Sequence, residues 1–371
     1  MRYLFIILLL AGCAKPDLNP LQRALRSSHP AMLNVLHDVK GYQIQILYSE
    51  IDSLPDGSVM FTDHEFRVDD EQYFYPASTV KFPAAVLAME WADSHDSIDI
   101  DTPYTLARDT LIHSLDDDVR QIFAVSDNEA NNRLYELLGR DHMNDRLRSM
   151  GIGPVRIAHR LSTANADRSN RDTLYFTTPY DTLKISAEAD GPIEPVSVAG
   201  LQKGRGFMRD GSVVPSPMDF SQKNYFPLRS QHELTKRILF PQAFEADQLP
   251  ALTAETRARL LEHMYKLPRE SGYDPAEFYD SYVKFFLYGD SKEPIPEGIR
   301  IYSKVGYAYG TLTETAYIED SNAGIGFLLS ATILVNANGV FNDDQYEYET
   351  IGIPFLAQLG RELYMYERSV K

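Results

Sequence analysis

Three short stretches of this chain carry side chains that could move protons around a carbonyl group. Ser78-Thr79-Val80-Lys81 sets a hydroxyl and an amine three residues apart. On a helix that spacing puts both on one face. In a desolvated pocket the Lys amine can lose its proton, accept the hydroxyl proton and make the Ser a nucleophile. Ser126-Asp127-Asn128 adds a second hydroxyl, able to relay a proton to a leaving nitrogen, and an amide able to bind a substrate carbonyl. Lys304-Val305-Gly306 is the only K-x-G in the chain. Its Lys offers a cation to a substrate carboxylate, and its Gly leaves room for an extended substrate along a strand edge.

Each motif also has an ordinary reading. S-D-N is commonly a turn or helix cap, and K-x-G a strand-ending Gly beside an exposed Lys. A second S-x-x-K, Ser281 to Lys284, shows how easily that spacing arises. Ser281 lies among Tyr279, Asp280 and Tyr282, whereas Ser78 follows a Pro-Ala turn and opens an apolar stretch that can bury and orient it.

The elements around the motifs follow from hydrophobic periodicity. Tyr42 to Glu50 alternates as a half-buried strand, and Val59 to Val68 alternates again after the turn-forming run Asp52 to Gly57, so the two predict an antiparallel hairpin. Val80, Ala84, Leu87, Ala88 and Trp91 predict a buried helix from near Ser78 to Asp93. The acidic run Asp116 to Asp118 suits the N-terminus of a helix reaching Val125. Glu129 to Leu138 and Asp141 to Met150 read as two more helices around Gly139. Arg300 to Val305, Thr313 to Ile318 and Ile325 to Val335 read as strands, and Pro354 to Tyr366 as a closing helix. This order predicts an α+β fold, with the first and last strands in one antiparallel sheet and helices inserted between them.

The three motifs stand in order on a helix start, an inter-helix loop and a late strand. Together they resemble the penicillin-recognising serine enzymes, the penicillin-binding proteins and β-lactamases, and most closely the class A β-lactamase-like branch. Tyr75-Pro-Ala-Ser-Thr-Val-Lys-Phe82 is similar to that family's nucleophile segment, and Val125-Ser-Asp-Asn-Glu-Ala-Asn-Asn132 to its second motif. The resemblance implies a three-layer α/β/α arrangement with an inserted helical subdomain. It implies Ser78 as the acylated nucleophile, Lys81 as its base and Ser126 as the proton relay. Asn128 would hold the substrate amide, Lys304 would face its carboxylate, and the backbone N–H groups of Ser78 and Tyr307 would bind the oxyanion beside Gly306. The substrate implied is a small molecule or peptide, either a β-lactam or a cell-wall peptide. A DD-peptidase, an esterase or a penicillin-binding lipoprotein without turnover would share these residues.

The chain departs from that pattern in three places. Class A β-lactamases carry a water-activating Glu in an Arg-x-Glu segment, where this chain reads Arg160-Leu161-Ser162, and no Glu occurs between Met150 and Ala187. Asp167 and Asp172 are the nearby carboxylates. Without such a base, release of an acyl group should be slow. Val305 replaces the usual hydroxyl residue of K-[TS]-G. The segment 202–245, beginning QKGRGFMRDGSVVPSPMDFSQKN, reads as an inserted hairpin or lid rather than a helix.

Composition bounds the rest. With 371 residues, 44% hydrophobic and a formal net charge of −17, the chain can bury a large core and is ill suited to nucleic acid. Nine His without a metal-like pair imply no metal, and no cofactor is implied. Residues 1–12, MRYLFIILLLAG, fit a secretory signal too short to span a bilayer. Leu-Ala-Gly-Cys13 resembles the lipobox of bacterial lipoproteins and uses the chain's single Cys. That resemblance implies export, lipid attachment at Cys13, a polar tether over 13–35 and a domain over 36–371. Ala14 lacks the Asp associated with inner-membrane retention, which favours a periplasm-facing outer-membrane anchor.

Overall fold

The computed structural model describes residues 18–371. The signal segment and Cys13 lie outside the described residues. Two short helices come first, α1 (Pro20–Ala24) and α2 (Pro30–Leu36), followed by β1 (Gln45–Ser53) and β2 (Val59–Phe66). A 3₁₀ turn over Ala77–Val80 leads into α3 (Lys81–Asp93). After β3 (Tyr104–Leu106) come α4 (Leu115–Val125), α5 (Asn128–Leu138) and α6 (Arg140–Ser149). Short strands follow: β4 (Leu174–Thr177), β5 (Thr182–Ile185), β6 (Gln202–Lys203), β7 (Gly206–Arg209), β8 (Ser212–Val214) and β9 (Met218–Asp219). Then come α7 (Leu228–Leu239) and α8 (Ala254–Tyr265), the long strands β10 (Ile299–Ala308), β11 (Thr311–Asp320) and β12 (Ile325–Leu334), the short β13 (Val340–Phe341), and α9 (Ile353–Val370).

The main sheet is antiparallel, in the order β10-β11-β12-β1-β2. Tyr48 pairs with Leu329 and Lys304 with Thr315, so the first and last strands do share one sheet. One face carries Ile46, Tyr48, Val305, Ala316, Phe327 and Leu329, sealed by α1, α2 and α9. On the other side a second apolar core gathers α3, α4, α5, α6 and α8. Its centre is α3, buried from Lys81 through Met89, as expected of an apolar helix enclosed by others. The fold is α+β, and the helices inserted between β2 and β10 form the lobe that faces the sheet.

Two stretches differ from the sequence reading. Residues 20–35, read as part of a tether, carry α1 and nearly all of α2, whose Leu21, Ala24, Met32 and Val35 are buried under α9. These helices are too short to show a full apolar period, and tertiary packing rather than propensity holds them. Within 202–245, the first half is the hairpin β7–β8, turned at Asp210-Gly211 with both φ positive. The second half is α7, packed on β1, β11 and β12. This helix buries Leu234 and Ile238 in the apolar core of the helical lobe and turns a polar face to the sheet.

That face meets a seam of hydroxyls across the sheet. Thr315 Oγ1 lies 2.6 Å from Ser330 Oγ, which lies 2.8 Å from His232 Nδ1. His232 Nε2 lies 2.7 Å from Ser49 Oγ, and Ser49 donates to Asp63 Oδ1 at 2.5 Å. Lys236 closes the line on Asp63 at 2.7 Å. Since Ser49 donates to the carboxylate, Nε2–H donates to Ser49, and the ring is held between Ser49 and Ser330. Full burial favours the neutral imidazole.

Burial, with Lys236 nearby, lowers the His232 pKa from 6.5 to about 3. The unfolded chain therefore binds this proton at a higher pH than the folded one. The contribution to stability is complete above about pH 6.5 and is lost as pH falls toward 3. From pH 6.5 to 5 the loss from this group should be about 2 kcal/mol. Urea unfolding at the two pH values should show that decline, and His232→Gln should flatten it; an equal decline in the variant would assign the acid sensitivity elsewhere.

Candidate active site

Ser78 sits in the turn that introduces α3. Ala77 before it holds φ 49°, in the left-handed region, and the Thr79 hydroxyl and N–H both bond Pro76 O, at 2.8 and 3.1 Å. This presents Ser78, half-buried, to a cleft of about 880 Å³. Among the described residues its hydroxyl has no hydrogen-bond partner.

Lys81, one turn on, is wholly buried, and its Nζ bonds Ser126 O and, at 3.3 Å, Ser126 Oγ. Ser126 ends α4 in the left-handed conformation (φ 58°). Asp127 then caps α5, accepting from Ala130 N at 2.7 Å, so the loop that carries Ser126 is fixed at both ends. Lys304, on the edge strand β10, reaches the same hydroxyl: its Nζ lies 2.9 Å from Ser126 Oγ and 2.7 Å from Val305 O. Two amines from different lobes thus converge on one Ser side chain.

Burial without a carboxylate partner lowers the Lys81 pKa to about 7, against the pull of Asp127. Burial and the neighbouring Lys81 and Lys284 amines push Lys304 well below its ordinary value.

At Gly306 the sheet lies directly against the Ser78 turn. A Cβ there would stand 2.6 Å from Pro76 O and 2.8 Å from both Ser78 N and Thr79 N. Only a residue without a side chain lets β10 lie against the Ser78 turn. The next residue is set by hairpin geometry. Tyr309 and Gly310 have φ 53° and 77°, a two-residue turn closed by Ala308 and Thr311. The closing pair exchanges both ladder bonds, so alternation turns the Tyr307 N–H off the open edge of the sheet. Ser78, Ser126, Asn128 and Tyr307 all line the cleft, while Lys81 and Lys304 lie beneath its wall.

The segment of the missing Glu is held firmly. Arg160 bonds Glu136 through Nε at 2.6 Å and Nη2 at 2.9 Å, both side chains buried. Asn132 bonds Leu161 N and O, each at 2.8 Å. Ser162 consequently projects into the cleft, where its Oγ accepts from Asn128 Nδ2 at 3.0 Å. Asp167 and Asp172 do not line the cleft; Asp172 pairs with Arg168 at 3.0 Å.

Ser281 and Lys284 are buried as well, but Ser281 bonds Ser291 O and Lys284 bonds Met264 O and Ile301 O, so neither hydroxyl nor amine faces the cleft. The acidic run before α4 is used in packing, with Asp118 bonded to Arg133 at 2.6 Å and to Tyr104.

Sequence reasoning missed most of the cleft's lining. Tyr282, Tyr309, Tyr346 and Tyr348 join Tyr75 and Tyr307 around it, brought together from three separate loops. Their common signal was only the high Tyr count, 23. His159 also lines it, with Nδ1 on Arg160 O at 2.5 Å and Nε2 buried without a partner.

Gly306→Ala should separate β10 from the Ser78 turn. We expect about a 100-fold slower reaction of Ser78 with a fluorophosphonate, because a shift near 1 Å at a reacting group costs about that much. Labelling at the unaltered rate would mean that the contact does not set the geometry.

Residues 33–188 match the model of the beta-lactamase enzyme family. No curated protein matches the chain in sequence. Among solved structures, the β-lactamase of Sphaerobacter thermophilus DSM 20745 aligns with a TM-score of 0.52 at 16% identity, over 95% of this chain and 97% of that one. A β-lactamase from Burkholderia vietnamiensis gives 0.52 at 13%, over 92% and 97%. The class A β-lactamase from Mycobacterium abscessus gives 0.50 at 12%, over 91% and 98%. At such identities the structures speak for the fold alone: the chain has a β-lactamase-like fold, and its residues 33–188 are similar in sequence to the beta-lactamase enzyme family.

Proposed function

We propose that this protein is a serine hydrolase that cleaves an amide through an acyl-Ser78 intermediate. The observation that carries the reading is the convergence of the Lys81 and Lys304 amines on the Ser126 hydroxyl, in the wall of the cleft that Ser78 lines. In this reading neutral Lys81 takes the Ser78 proton as Oγ attacks the substrate carbonyl. The N–H groups of Ser78 and Tyr307 hold the oxyanion. As the C–N bond breaks, the proton passes through Ser126 to the leaving nitrogen, leaving the acyl group on Ser78. Lys304 keeps the Ser126 hydroxyl in place, and Asn128 meets the substrate amide. Water then attacks the ester and frees the acid.

The substrates favoured are a β-lactam, taken slowly, or a peptide amide of the cell wall. Ser162 in place of the Glu favours slow release, because a hydroxyl is a poor base for activating water. It also supports a second reading, a DD-peptidase or penicillin-binding protein on the same fold. Residues 1–13 support a protein exported and lipid-anchored at Cys13, facing the periplasm.

Intact-mass measurement after mixing with a penicillin tests the acyl step. A Ser78-dependent adduct should form, Ser78→Ala should take none, and release should be about 10²–10⁴-fold slower than in an enzyme with the Glu base. Ser162→Glu should shorten the adduct lifetime. Rapid turnover by the unaltered protein would remove slow release from the reading; no adduct would remove penicillin recognition.

The Lys81 pKa gives an independent check. Below pH 7 the amine is an ammonium and cannot accept the Ser78 proton, so the acylation rate should rise through about pH 7 and level off above it. Lys81→Met should lose about 10²–10⁴-fold and the inflection with it. A flat profile from pH 5 to 9 would count against Lys81 as the base.

A further inference from the structure

A second cavity, of about 250 Å³, shares no lining residue with the Ser78 cleft. Gln43 reaches it from just before β1, Leu334 from the end of β12, Lys203 from β6 and Phe341 from β13. The Phe220 ring stands between the two spaces, packed on Phe341 of this cavity and on Tyr75 and Tyr309 of the cleft. Glycines let the walls close in. Gly200 and Gly204 hold φ 77° and 74°, in the left-handed region. A Cβ at Gly200 would stand 2.2 Å from Gln72 Nε2, and one at Gly204 would stand 2.5 Å from Gly339 O. Backbone bonds fix the arrangement: Arg205 N donates to Gly339 O at 2.8 Å, and Gln202 and Lys203 pair with Asp219 and Met218.

Lys203 brings a cation into this wall and leaves it without a counter-charge. The residue is 6% exposed, and its Nζ donates to Gln43 Oε1 at 2.7 Å. The centre of the Tyr73 ring is 6.0 Å away. An ammonium has three N–H donors. Among the described residues no carboxylate pairs with this one and no second acceptor meets it. Other buried cations are treated differently: Lys236 sits on Asp63, Arg133 on Asp118 and Arg160 on Glu136. In a chain with a formal charge of −17, no described Asp or Glu lines this cavity. Burial lowers the Lys203 pKa to about 8, so at pH 7 the amine is still mostly an ammonium. A buried charge beside a neutral partner alone is poorly compensated. The remaining donors are at hand. Gln43 spends its oxygen on Lys203, which leaves its Nε2 free to donate, and the Gln72 side chain has no hydrogen-bond partner among the described residues.

We propose that this cavity is a binding site for a small oxyanion, of the size of inorganic phosphate, held by the Lys203 ammonium and the side-chain amides of Gln43 and Gln72. A Lys serves such an anion as a point charge, and the amides add direction. A water takes about 30 Å³, so the space admits a phosphate with part of its shell. The segment 202–245 then has a role that its sequence did not announce, since it delivers the cation.

Equilibrium dialysis against radiolabelled phosphate, with thermal unfolding beside it, tests the site at an ionic strength held constant with sodium chloride. The unaltered protein should bind one phosphate per chain, and its Tm should rise to a plateau as phosphate is added. Lys203→Met should weaken binding about 10–100-fold, and Lys203→Arg should keep it. Without phosphate, Lys203→Met should melt no lower than the unaltered protein, because it removes an unpaired buried charge. With phosphate at saturation the order should reverse. No bound phosphate in the unaltered protein would overturn the proposal. So would a Lys203→Met chain that binds phosphate equally well, whatever its Tm. An equal rise in Tm for both chains would be the general effect of an excluded salt and would overturn it too.

Discussion

The site depends on one steric fact, the contact of β10 with the Ser78 turn at Gly306. There the sheet edge touches the backbone that carries the nucleophile, and no β-carbon fits. The strand can lie that close because it is the sheet's edge, with its outer N–H groups unpaired by a neighbour. Lys304 is fixed two residues earlier and Tyr307 one residue later. The reach of the Lys304 amine to Ser126, and the direction of the Tyr307 N–H, follow from where Gly306 sits. The left-handed residues Ala77 and Ser126 are the matching adjustments on the helical side.

Electrostatics then follow from geometry. Two amines share one dry wall, and neither has a carboxylate in direct contact. Two adjacent ammonium ions in that setting would repel each other and lose their hydration, so the pair is driven toward the neutral form. A third buried amine, Lys284, adds to this pressure, and Glu314 on the opposite face of β11 offsets part of it. A base is made here by withholding partners, whereas the carboxylates of the helical lobe are paired tightly: Asp118 with Arg133, Glu136 with Arg160.

The sequence was legible where side chains act locally. S-x-x-K, S-D-N and K-x-G sit on the expected elements, and period-2 or period-3.6 runs found the main strands and helices within a few residues. It was not legible where burial is decided by distant partners. Helix α7 offers His232 and Thr235 to the sheet, a pair that looks solvent-facing until Ser49, Thr315 and Ser330 are set against it. Helices α1 and α2 are too short to announce themselves. The tyrosine lining comes from segments far apart in the chain, and no spacing rule joins residues 75, 282, 307 and 346.

The strand order has a consequence for how the molecule is made. Strand β1 is hydrogen-bonded to β12, so the sheet's inner strands come from opposite ends of the chain. A growing chain can fold its hairpin and assemble helices, but the surface on which they pack is incomplete until residue 334 exists. Closing so long a loop is slow, because its entropy is lost before the pairing rewards it. A chain cut short within β10, β11 or β12 would lose the middle of the sheet, not its margin. Quality control by proteases would therefore meet two kinds of chain: those that reach β12 can close the sheet, and those that do not leave β1 without its partner.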